Sequence, residues 1–133
     1  MANTYQDLLQ KSRDEIKTID FNEAERLRRE GALLIDIREV DEIEQGMIDD
    51  AIHIPRGFLE SRIEQVATDK SAPVVVYCAG GARSVFGAKA LEQLGYTDVA
   101  SMDGGFTAWK TAALPWSKPA SFTQEQRRRY SRH

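Results

Sequence analysis

The sequence is poor in the residues that usually carry metals and crosslinks: of 133 residues one is Cys and two are His. Cys78 therefore has no partner for an intramolecular disulfide, and His53 and His133 are too few to build a histidine metal site. No metal centre is expected. Long apolar runs are missing as well. The longest, Val74 to Ala79, covers six residues, against roughly 20 for a bilayer span. The opening MANTYQDLLQKSRDE lacks the apolar core of a secretory signal, and together with an unpaired thiol this points to the reducing cytoplasm. Nine Gly and four Pro are too few for a collagen-like or low-complexity chain.

Hydrophobic residues at 41% and charged residues at 29% suit one folded domain. The net charge of −3 conceals an uneven distribution. Residues 1–70 carry 10 Lys and Arg against 17 Asp and Glu, whereas residues 71–133 carry 8 against 4. The acidic half argues against a nucleic-acid partner, which needs a contiguous basic footprint. The positive half surrounds Cys78, where an anion site would benefit from it. Four of its arginines, however, lie in the segment RRRYSR near the end, which reads as a solvated terminus.

Periodicity alternates between helix and strand. Thr4 to Ile16 reads as an amphipathic helix capped by Thr4, with Leu8, Leu9 and Ile16 as its apolar face. An extended piece follows at Ile16–Ile19. Asp20 or Asn22 then caps a helix that runs through Arg29 and closes at Gly31. ALLIDI (32–37) reads as a buried strand, EVDEIEQG as an acidic helical turn ending at Gly46, and AIHI (51–54) as a short strand stopped by Pro55. FLESRIEQV (58–66) has helical spacing. VVVYC, after Pro73, is the strongest strand signal, and Gly80 and Gly81 break it before a helix at Ser84–Leu94 closed by Gly95. DVASM (98–102), a turn at Gly104–Gly105 and a helix at Phe106–Ala113 complete the pattern. The alternation predicts an α/β fold of three layers, a central mainly parallel sheet flanked by helices on both faces. Ligands of such sheets sit at the carboxyl ends of the strands, which is where Cys78 falls.

The segment CAGGARS (78–84) gives that position its chemistry. Two glycines let successive N–H groups converge on one spot, the following helix adds its positive end, and Arg83 adds a full charge. Each favours a thiolate over a thiol, so Cys78 reads as a nucleophile with an anion site built around it.

Here the chain resembles the rhodanese superfamily, sulfurtransferases that carry sulfur as a cysteine persulfide. CAGGARS resembles that family's active-site loop. LIDIRE (34–39) resembles its early strand motif, GMIDDAIHIP (46–55) its Gly-His-Ile-x-Gly-Ala-x-Asn-Ile-Pro pattern, and GGFTAW (104–109) its Gly-Gly-x-x-x-Trp signature. Departures cluster in the second of these: Met47 stands for His, Asp50 for Gly and His53 for Asn. The resemblance spans about residues 16–116, with a helical extension at 1–15 and a basic tail at 117–133 outside it. It implies Cys78 as catalytic residue and Ala79, Gly80, Gly81, Ala82, Arg83 and Ser84 as the substrate-binding loop. No cofactor is implied. The partners would be a small anionic sulfur donor such as thiosulfate and a thiol or cyanide acceptor, with a protein as a further donor or acceptor.

Several residues have two readings. Arg83 is expected to bind the anionic donor, the alternative being an outward side chain paired with an acid. Asp36 and Arg38 flank the end of the ALLIDI strand and either reach the site or, the preferred reading, form a charged network bracing the loop. Arg56 is either an electrostatic guide at the rim or an ordinary surface residue. His53 and Trp109 read as structural. Two other functions compete with sulfur transfer. A non-catalytic rhodanese-like interaction module would typically have lost the Cys. Related phosphatases and arsenate reductases place five residues between Cys and Arg, whereas four stand between Cys78 and Arg83.

Overall fold

The structure is a computed structural model and describes residues 4–118. Five parallel strands form the central sheet in the order β1-β6-β5-β2-β4: β1 (Lys17–Ile19), β2 (Leu33–Asp36), β4 (Ile52–His53), β5 (Val74–Tyr77) and β6 (Val99–Met102). β5, the most apolar, is central, because a strand paired on both edges and covered on both faces must be apolar throughout. Alternation along it sorts two cores. Val74, Val76 and Cys78 face one side, with Leu59 and Ile63 of α4 (Leu59–Val66) and Ala88 and Leu91 of α5 (Arg83–Gln93). Val75 and Tyr77 face the other, with Ala24 of α2 (Phe21–Arg29) and Phe106 and Trp109 of α6 (Gly105–Thr111).

The caps fall where the side chains predict. Thr4 accepts from Asp7 N–H at the start of α1 (Tyr5–Asp14), Asp20 accepts from Glu23 N–H at the start of α2, and Gly31 takes a left-handed φ of 99° just past its end. The face of α1 differs from expectation. Leu9 and Ser12 are buried, while Leu8 is 49% exposed. Adjacent residues lie 100° apart on a helix, and the three-residue step from Leu9 to Ser12 selects the face turned to the protein. α1 packs on α5 and its end is tied there by Lys89 to Glu15 at 2.8 Å.

A second sheet was not expected. β3 (Met47–Ile48) pairs antiparallel with β7 (Trp116–Ser117). β7 crosses the boundary drawn at 116, so Ser117 is part of the folded unit; the RRRYSR segment and His133 lie outside the described residues. The departures in this stretch have local explanations. Met47 is fully buried. Asp50 takes a φ of 69°, the left-handed conformation a glycine there would adopt freely. His53 is buried, with Nε2 2.6 Å from the Arg38 carbonyl oxygen. No helix among the described residues is long and apolar enough to cross a membrane.

Candidate active site

Cys78 follows directly on β5, and the loop 78–82 carries the chain into α5. Its side chain is buried, with 1% exposure. Gly81 N–H donates to Sγ at 3.2 Å, and Gly81 has a φ of 102°, which a residue with a Cβ rarely adopts. Gly80 needs neither a positive φ nor the space, so of the two loop glycines only Gly81 is required by geometry. On the far side of the sulfur a hydroxyl pair continues the chain of contacts. The Cys78 thiol donates to Ser84 Oγ at 3.6 Å, and Ser84 Oγ lies 2.7 Å from Ser101 Oγ, both serines being buried. A hydroxyl both donates and accepts, so Ser84 can donate to the sulfur once it ionises.

The orientation of the loop is imposed from behind. Phe106 N–H donates to the Cys78 carbonyl at 2.8 Å and Thr107 N–H to the Ala79 carbonyl at 3.0 Å, so the first turn of α6 holds two successive loop carbonyls. In a planar trans peptide the N–H points opposite to the C=O. The N–H groups of Ala79 and Gly80 are thereby turned away from α6. No side chain caps α5 at Ala82, which leaves its first turn open to an anionic acceptor.

The charged residues form two layers. Asp36 and Arg38 are buried and paired at 2.8 Å, and Arg38 also donates to the Gly46 carbonyl at 2.6 Å while stacking 4.5 Å from the Phe106 ring centroid. This pair ties the segment after β2 to α6. Burial beside the Asp36 charge pushes the Tyr77 phenol well above its ordinary range, and its oxygen accepts from Ile48 N–H. Nearer the surface, both terminal nitrogens of Arg83 bind Glu42, at 2.7 and 2.9 Å. Glu42 belongs to α3 (Val40–Ile43), and its Oε1 also accepts Glu39 N–H at 3.0 Å. Arg83 thus takes the second of its two expected arrangements. Arg56 pairs with Glu60 at 2.7 Å.

Glu42 and Ser101 were absent from the residues singled out in the sequence. A signal existed for Glu42, since Glu39 and Glu42 stand in the i, i+3 relation of a capping pair. None existed for Ser101, a small polar residue in a weak strand. The Arg83 guanidinium holds the Glu42 carboxyl well below its ordinary value of 4.5, at about 2. A carboxyl lowered in the folded state stabilises the fold above its unfolded value and loses that contribution as pH falls through the folded one. The melting-temperature difference between the native protein and Glu42→Gln is therefore expected to be constant above pH 4.5 and to shrink toward pH 2. Melts across that range check this; a difference independent of pH would mean that the ion pair contributes nothing.

A sulfurtransferase of Allochromatium vinosum is 41% identical over 90 residues, 68% of this chain and 82% of that protein. The thiosulfate sulfurtransferase GlpE of Pseudomonas syringae is 37% identical over 97 residues, 73% of this chain and 90% of that protein. Among solved structures, a Rhodopseudomonas palustris protein of unknown function, described as a possible tyrosine phosphatase, superposes with a TM-score of 0.78 at 31% identity, over 88% of this chain and 96% of that one. Residues 20–112 match the sequence profile of the Rhodanese-like domain, and with sulfurtransferase relatives at this identity the chain belongs to the rhodanese-like family.

Proposed function

We propose that the protein moves a sulfane sulfur from a small anionic donor such as thiosulfate to a thiol or cyanide acceptor through a persulfide on Cys78. The observation that carries this reading is the placement of Sγ: at the carboxyl end of the central strand, accepting Gly81 N–H, at the mouth of a helix that no side chain caps. The thiolate attacks the outer sulfur of thiosulfate, the S–S bond of the donor breaks, and sulfite leaves with its electron pair. The product, Cys78–S–S⁻, is an anion, and the N–H groups of the 79–84 loop are the donors available to stabilise it. An acceptor such as cyanide then takes the outer sulfur as thiocyanate and regenerates the thiolate. Both half-reactions balance without a cofactor, and no second Cys exists to intercept the persulfide in the same chain. A lone thiol that must stay reduced suits the cytoplasm. Intact-mass spectrometry after thiosulfate treatment tests the reading, with one sulfur, about 32 Da, expected on the protein; no adduct under conditions that leave the thiol reduced would sink it.

The likeness to a possible tyrosine phosphatase favours a second reading, phosphate-ester hydrolysis by the same thiolate. Loop length favours sulfur transfer over it. Four residues between Cys78 and Arg83, one fewer than in the phosphatase loop, make a narrower cradle, which suits a single outer sulfur better than a tetrahedral phosphoryl group. Aryl-phosphate turnover is accordingly expected to be negligible beside thiosulfate sulfurtransferase activity. Comparable rates for the two would reverse the order of the readings.

A further inference from the structure

A thiolate attacking thiosulfate is an anion approaching a dianion, so a cation beside the site would speed the reaction. Arg83 is the charged residue of the loop, and in this structure it is already spent on Glu42. The pairing is bidentate at 2.7 and 2.9 Å, the geometry in which a guanidinium satisfies a carboxylate most completely. The two side chains are 40% and 29% exposed, so the pair is open to solvent on the face where α3 meets the start of α5. Glu42 is itself held in place, because Oε1 accepts Glu39 N–H as well as Arg83. A sulfonate must displace a carboxylate that is tethered and preorganised, and must then share the mouth with it.

We propose that Glu42 is a specificity-determining residue that neutralises Arg83 and so turns the site toward sulfur donors carrying at most one charge, such as a persulfide RS–SH, at the expense of the thiosulfate dianion. This rests on the Cys78 persulfide reading. For such a donor the Cys78 thiolate attacks the outer sulfur, the donor S–S bond breaks, and the new S–S bond forms on Cys78. The leaving sulfur takes the proton, giving RSH and Cys78–S–S⁻ with no net oxidation. No charge of the donor needs a guanidinium partner.

Glu42→Gln isolates the charge. Gln keeps an oxygen acceptor for the Glu39 N–H, since Glu and Gln serve alike at that capping position, while the countercharge on Arg83 is removed. The first readout is the ratio of Cys78 alkylation rates by iodoacetate and iodoacetamide, two reagents of nearly equal size that differ by one charge and need no sulfur transfer. Glu42→Gln is expected to raise this ratio about 5- to 20-fold. Arg83→Gln is expected to lower it, and the Glu42→Gln/Arg83→Gln double variant to return it to the native value, because both native pair and double variant are neutral. The second readout is thiosulfate kinetics, where the gain in Glu42→Gln should appear as a lower KM. An unchanged ratio in Glu42→Gln overturns the proposal. So does a double variant well below native, which would mean that Arg83 addresses anions in spite of Glu42. Should Glu42→Gln not fold, the native and Arg83→Gln proteins still decide: equal ratios in those two overturn the proposal. Absence of any sulfur transfer, with the alkylation pattern as expected, would count against the persulfide reading and leave the charge assignment of Glu42 standing.

Discussion

Cys78→Ser is expected to take up no sulfur from thiosulfate and to form thiocyanate at background, a loss of roughly 10³-fold or more. The substitution exchanges one atom in a buried position and retains a group able to accept from Gly81 N–H and to meet Ser84 Oγ. The fold should therefore hold, with a melting temperature close to native. What changes is the chemistry. A seryl hydroxyl is essentially un-ionised at neutral pH, oxygen is a poor nucleophile toward sulfane sulfur, and no persulfide can form on it. The measurement pairs intact mass with the cyanide assay on the same preparation. Activity equal to native in the Ser variant would remove Cys78 from the reaction altogether, whatever the geometry around it.

The sheet and its order of elements were legible because each signal was local. Pro73 and the run of Val residues mark β5; Asp20 and Gly31 bracket α2; the strand-then-glycine sequence at 78–81 marks the loop. The pairing of β3 with β7 was not legible. Each is two residues long, and the partners lie some seventy positions apart, so no periodicity within either segment can announce them. Their meeting is visible only through a third residue. Gly46 has a φ of 135°, and a Cβ there would lie 2.6 Å from the Trp116 ring, so the glycine that ends α3 is also the place where the indole of β7 lands.

The site divides in the same way. Cys78, the loop glycines and Arg83 are contiguous in sequence and declare themselves together. Glu42 meets Arg83 across 41 positions, and Ser101 meets Ser84 from the neighbouring strand. The role of Arg83 could not be chosen from sequence for this reason: a guanidinium next to a nucleophile and a guanidinium satisfied by a distant carboxylate look identical until the segment after β2 is folded beside α5. Asp36 and Arg38, two positions apart at and just past the end of β2, were close enough in sequence for their pairing to be anticipated.

Gly105→Ala is expected to damage both stability and activity, because at this residue the backbone of α6 and the Cys78 loop are in contact. A Cβ on Gly105 would lie 2.5 Å from the Cys78 carbonyl oxygen and 2.6 Å from that of Ala79. These are backbone atoms held by Phe106 N–H and Thr107 N–H, not the ends of flexible side chains, so the neighbour cannot give way cheaply. The φ of 56° adds a conformational cost that glycine avoids. Overpacking together with backbone strain gives a destabilisation of roughly 2–5 kcal/mol. Relief requires the loop to move off α6, and that movement releases the two carbonyls whose fixed direction turns the N–H groups of Ala79 and Gly80 away from α6. Loss of activity should thus exceed what the unfolded fraction explains: well below its melting temperature, the folded variant should form the persulfide at least about 10-fold more slowly than native. Gly80→Ala is the matched control, since nothing lies within 4 Å of a Cβ there and its φ is not positive. Native-like stability and native-like persulfide formation in Gly105→Ala would mean that α6 does not set the loop, and the orientation of the anion cradle would then have to come from Gly81 and the α5 N-terminus alone.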